Sequence, residues 1–147
     1  MHLMIGYGNP LRSDDGLGPY LVDMFRHGGE AVTCIQLTPE LAEPVSRAEQ
    51  VVFLDAGISG TPGEVTCEKL KIIPGTGAFT HHVTPASLLV AAQELYGAAP
   101  QAVLITVTGA SFDYGCAFSP EIRILLPQIV SRVEALITAF FMIEANA

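Results

Sequence analysis

The sequence predicts an α/β protein: a twisted, mostly parallel five-stranded sheet with helices on both faces. Three observations predict it. Short apolar runs that end in Gly, Asn or Asp alternate with segments of helical spacing. Most of those runs are apolar throughout, the pattern of strands buried on both faces. Half of the 147 residues are apolar and only 15% are charged, which suits one domain over residues 1–147 with a real core.

The first run, residues 2–6, is closed by Gly8, Asn9 and Pro10 and reads as a buried strand followed by a loop. Leu17, Tyr20, Leu21, Met24 and Phe25 recur at helical spacing over residues 16–26, with Asp14 or Asp15 in place to cap that helix. Residues 31–37 form a second strand. Thr38-Pro39-Glu40 then opens a short helix, with Thr38 at the N-cap and Pro39 at the first helical position. Residues 51–55 are a third strand, apolar until Asp55. Residues 63–73 alternate loosely, as a less buried edge strand does. Residues 74–82 read as a loop rich in Gly and Thr. Thr84-Pro85 starts a helix that stops at Gly97. A fifth strand covers 102–108 and a loop covers 109–118. Ser119-Pro120-Glu121 opens a terminal helix reaching about Glu144, in which Pro127 should produce a kink or a restart.

Seven basic residues against fifteen acidic ones give a net charge of −8. That balance disfavours nucleic acid or an anionic membrane as the main partner. Three cysteines without a C-x-x-C spacing signal neither a disulfide framework nor a zinc cage. The apolar run at the start is too short for a signal peptide. The apolar tail contains Arg123, Pro127, Gln128, Ser131, Arg132 and Glu134 and does not read as a membrane span. The expected compartment is the cytoplasm.

In a parallel sheet, sites form beyond the carboxyl ends of the strands. The Gly-rich turn after the first strand has neither Gly-x-Gly-x-x-Gly nor Gly-Lys-Ser/Thr, and two tandem carboxylates there would repel a phosphate. One Asp suffices for a cap, so the second of Asp14 and Asp15 is a candidate for chemistry. Asp55 ends a hydrophobic strand at the same edge, although it could do no more than bond loop N–H groups. His81 and His82 diverge in an extended segment, so at most one is a ligand, and a His pair in a loop is more often solvated. His82 is the nearer to the helix start. Together Asp15, Asp55 and His82 offer two carboxylates and an imidazole, a set suited to a divalent first-row metal with open positions or to acid/base work. Gly-x-Ser-x-Gly and His-Glu-x-x-His are both missing. Cys34, Cys67 and Cys116 read as structural or exposed thiols.

Three stretches resemble one family in order and spacing. They are Gly-Tyr-Gly-Asn-Pro-Leu-Arg-Ser-Asp-Asp-Gly-Leu-Gly-Pro from Gly6, Val-Val-Phe-Leu-Asp-Ala-Gly from Val51 with Pro62-Gly63-Glu64-Val65 after it, and Thr-His-His-Val-Thr-Pro-Ala-Ser-Leu-Leu from Thr80. They look like the nickel–iron hydrogenase maturation endopeptidases, from Leu3 to the last helix. The segment Gln36-Leu37-Thr38-Pro39-Glu40-Leu41 further resembles the branch serving cytoplasmic, bidirectional-type hydrogenases. The resemblance implies a twisted sheet between helices. It implies hydrolysis of one peptide bond near the C-terminus of the hydrogenase large-subunit precursor, after nickel insertion, by an aspartyl-type endopeptidase. It implies that Asp15, Asp55 and His82 contact metal and carry catalysis, with nickel supplied by the precursor and a surrogate divalent ion able to take its place. Two departures stand out. Ala86 follows Pro85 where some members have His, so His82 takes that role. Gln36-Leu37 replaces an Asp-Gly-Gly of some members, leaving Glu40 as the nearest acid. A site of three protein ligands leaves positions open for a metal held by the substrate, which gives nickel gating a physical basis. The alternatives are a stand-alone metallohydrolase using the same residues, and a nickel-checking chaperone that binds the precursor without cutting it.

Overall fold

The computed structural model of the chain describes residues 1–73 and 82–143. Strands β1 (His2–Tyr7), β2 (Glu30–Cys34), β3 (Gln50–Gly57), β4 (Val65–Lys69) and β5 (Gln101–Thr108) form one sheet in the order β2-β1-β3-β5-β4. All neighbours are parallel except β4, which runs antiparallel to β5 at the edge. The helices are α1 (Leu17–Phe25), α2 (Ala42–Arg47), α3 (Pro85–Tyr96) and α4 (Pro120–Phe141).

The apolar runs of β1 and β3 are buried on both faces because their alternate residues feed two cores. Met4, Val52 and Leu54 pack with α1 and α4; Leu3, Ile5, Val51 and Phe53 pack with α2 and α3. The chain leaves β1 through α1 on one face and returns from β2 through α2 on the other. The strand order therefore reverses between β1 and β3, and such a reversal opens a crevice at the carboxyl edge. Gly18 lets α1 press onto that point: a Cβ there would lie 2.4 Å from the carbonyl oxygen of Leu54 and 2.8 Å from that of Tyr7.

Helix α3 opens with a reciprocal cap. The Ser87 N–H donates to the Thr84 hydroxyl at 3.1 Å, and the Thr84 N–H donates to the Ser87 hydroxyl oxygen at 2.8 Å. It closes at Gly97 with φ 78°, as the Gly after its last turn predicts. Because α3 leads into the start of β5, it runs against the strands. Its N-terminus, two residues beyond His82, points back to the carboxyl edge.

Four expectations need correction. Strand β2 stops at Cys34 rather than Leu37. Thr38 occupies the N-cap position of a 3-10 turn, Pro39–Leu41, that precedes α2, but its side chain makes no capping bond. Helix α4 runs through Pro127 without restarting. Neither Asp14 nor Asp15 caps α1, whose N-cap residue is Gly16. The predicted loop at 74–82 lies outside the described residues except for His82. By length and composition alone α4 could cross a membrane; here Ile122, Ile129, Val133 and Ile137 on its inner side are packed in the core.

Candidate active site

The tandem acids after β1 have opposite fates. Asp14 is fully buried. Its carboxylate accepts from the N–H groups of Ala110 at 2.7 Å, Ser111 at 3.0 Å and Ser119 at 2.8 Å, and from the Ser119 hydroxyl at 2.7 Å. Burial by itself pushes this carboxyl up, but those hydrogen bonds more than offset it and hold it below the usual carboxylate range. Asp14 thus ties the loop after β1 to the loop after β5 and is consumed in doing so. Ser119 also accepts from the Ile122 N–H at 3.3 Å, so the predicted cap of α4 is linked to the same anchor.

Asp15 is half-buried. One carboxylate oxygen accepts from the Asn9 N–H at 2.7 Å. Asn9 in turn accepts from the Leu11 N–H at 2.9 Å, which shapes the turn. Gly8 is required here. Its φ is 144°, and a Cβ would meet the Asp15 carbonyl oxygen at 2.0 Å.

Asp55 stands two residues before the end of β3, which runs on to Gly57 rather than stopping at Asp55, beside the end of β1 and on the same face as Phe53 and Val51. Burial lifts its carboxyl to about 6, and the charge of Asp15 adds to the rise. The Tyr7 hydroxyl and the Ala56 N–H hydrogen-bond to it and oppose the shift. Tyr7 is itself pushed far above an ordinary phenol, by burial first and by the Asp55 charge second, so it stays a donor. The charge of Asp15 therefore reaches Asp55 across the strand-order reversal, and the Tyr7 hydroxyl orients Asp55. Sequence reasoning missed Tyr7. The available signal was a single polar-tipped residue ending an otherwise apolar strand.

His82 is exposed on the segment leading to the Thr84 cap. Among the described residues no three His, Cys, Asp or Glu side chains are grouped to hold a metal ion. The acids present suit a divalent cation in one respect, since the charge of Asp15 helps to raise the Asp55 carboxyl and a positive ion would relieve it. Glu40 is exposed, and the Thr38 hydroxyl bonded to it holds its carboxyl below the ordinary value. His81 lies outside the described residues. Cys34 is half-buried, and Cys67 and Cys116 are exposed free thiols. Two depressions of about 580 Å³ lie at the opposite, amino edge around His2 and Phe141, and neither is lined by Asp15 or Asp55.

No protein-family profile matches the sequence, and no curated protein matches it. Solved structures do. The hydrogenase maturating endopeptidase HybD from E. coli superposes with a TM-score of 0.70 at 19% identity, over 94% of this chain and 92% of that one. The [NiFe] hydrogenase maturation protease HycI from Thermococcus kodakarensis does so at 0.68 and 18%, over 93% and 92%. A hydrogenase 2 maturation peptidase from a Thaumarchaeota archaeon is 28% identical with a TM-score of 0.64, over 92% of this chain and 97% of that one. The chain has the α/β fold of these peptidases over more than nine-tenths of its length.

Proposed function

We infer that this chain is a hydrogenase maturation endopeptidase, one that removes a C-terminal peptide from the large-subunit precursor of a nickel–iron hydrogenase. The carrying observation is the acid pair Asp15 and Asp55 at the point where strand order reverses, in a fold shared nearly end to end with maturation peptidases. Asp55, with its raised proton affinity and the Tyr7 hydroxyl fixing its orientation, is suited to accept and return a proton near neutral pH. Asp15 and Asp55 are hard oxygen donors for the nickel ion that arrives with the precursor, and His82 is the third donor in this reading. Two protein carboxylates and one imidazole leave coordination positions for the precursor's own ligands. Binding then reports whether nickel is present, and the cut follows at the bond brought against the acids. A surrogate divalent ion would occupy the same donors. Two exposed free thiols suit the reducing cytoplasm.

The test is an electrophoretic shift assay on the purified precursor with and without this chain. Nickel-loaded precursor should be shortened and nickel-free precursor left intact. A stable complex without shortening would make the chain a chaperone. Equal cutting of both precursors would remove the nickel gate and leave a peptidase that reads sequence alone.

A further inference from the structure

The loops after β1 and β5 are bonded along their length into one unit beside Asp15. Gly115 donates its N–H to the Leu11 carbonyl at 2.9 Å, and Ser13 donates its N–H to the Gly115 carbonyl at 2.9 Å. The Asp14 N–H reaches the Ser111 carbonyl at 3.0 Å, and the Ser13 hydroxyl reaches the Asp113 carbonyl at 2.8 Å. Below them lies the buried Asp14 carboxylate with its four donors. Ser13 has φ 53°, a conformation that a residue with a Cβ seldom adopts and that the surrounding bonds must hold.

This rigid backbone presents large side chains to solvent. Tyr114 is 86% exposed and Leu11 is 64% exposed. The Arg12 guanidinium lies over the Tyr114 ring, 5.2 Å from its centroid, and its Nε donates to the Phe112 carbonyl at 3.2 Å. Arg26 and Arg47 are each paired with a carboxylate, whereas no carboxylate pairs with Arg12 among the described residues. Arg12 is also the one Arg or Lys on the described loops that follow β1, β2, β3 and β5. Tyr and Arg on a backbone already ordered carry binding energy at low entropic cost.

We propose that Leu11, Arg12 and Tyr114 form the docking platform for the precursor, holding the extended segment that flanks the bond to be cut. This rests on the endopeptidase reading above. A bond presented to two half-buried acids at a sheet edge must arrive in an extended, unpaired segment. Tyr114 and Leu11 cover an apolar side chain of that segment, and the outward N–H groups of Arg12 donate to its main-chain carbonyls. The platform sets affinity and takes no part in the chemistry.

The experiment uses nickel-loaded large-subunit precursor from the same organism, with its C-terminal extension intact. Tyr114→Ala and Arg12→Ala are compared with Leu95→Ala, an exposed leucine near the far end of α3. Fluorescence anisotropy gives Kd and cleavage gives KM and kcat. Each platform variant should raise Kd and KM about tenfold with kcat within about twofold, and Leu95→Ala should change neither. Unchanged Kd and KM in both platform variants, with wild-type cleavage intact, would overturn the platform and leave the function standing. Wild-type binding without cleavage, weakened in both variants, would support the platform and overturn the endopeptidase reading. Neither binding nor cleavage by the wild type would overturn both.

Discussion

Asp14 and Asp15 share a side chain and a position in a motif, yet one is a buried anchor and the other is half-buried and, in the proposed function, a reagent. Four donors converge on Asp14 from residues about a hundred positions away, whereas among the described residues one nearby N–H reaches the Asp15 carboxylate. Asp55 illustrates the cost of burying an acid. Its carboxyl is raised from 3.8 to about 6, so the folded chain holds that proton more tightly than the unfolded chain. The fold is therefore favoured below about pH 4 and loses this contribution as pH rises towards 6. Asp55→Asn removes the penalty. In metal-free buffer at pH 7.5 the variant should be more stable than wild type by about 1–2 kcal/mol, allowing for partial exposure, and the gap should close near pH 4. Cleavage of nickel-loaded precursor should fall by about a hundredfold or more. Thermal unfolding at the two pH values checks the sign; a gap independent of pH would mean that this proton is not linked to folding.

The elements are set by their apolar patterns, but their mutual placement depends on a few close approaches. Helix α1 can lie against β1 and β3 only because residue 18 is Gly. Gly18→Ala should destabilise the chain by about 3 kcal/mol or more, because its Cβ would push against two backbone carbonyls rather than flexible side chains. Urea unfolding reads the loss. Since α1 follows directly from the turn carrying Asp15, cleavage at a temperature where the variant is still folded should also drop. A variant as stable and as active as wild type would show that α1 has room to move. At this scale most of the fold was legible: the five strands, the edge position of β4, the Thr84 and Ser119 caps and the Gly97 stop follow from local residue types. The early end of β2 and the unbroken helix at Pro127 were not, because pairing at the sheet edge sets the first and the anchoring of Ile122 and Ile129 in the core on either side of Pro127 sets the second.

For the whole molecule, the topology gathers the loops after β1, β3 and β5 at one edge, beside Asp15 and Asp55. With a net charge of −8 and the charge of Asp15 acting on Asp55, the proposed function has the cation brought by the precursor. Isothermal titration of nickel into the isolated chain should show weak binding, much weaker than the retention of nickel in the complex with precursor. Tight stoichiometric binding by the chain alone would favour a stand-alone metallohydrolase with its own ion. His82→Ala should weaken the nickel-dependent complex. An unchanged complex would remove His82 from the donor set.

The sequence by itself determined the α/β class, the order of elements and the candidates Asp15, Asp55 and His82, because apolar periodicity and turn residues act over a few neighbours. Only the tertiary structure decided which tandem acid is buried, that Tyr7 faces Asp55 and that Arg12 lies over Tyr114. Those outcomes depend on strand register and on contacts between residues up to about a hundred positions apart, where burial and hydrogen bonding assign different tasks to identical side chains.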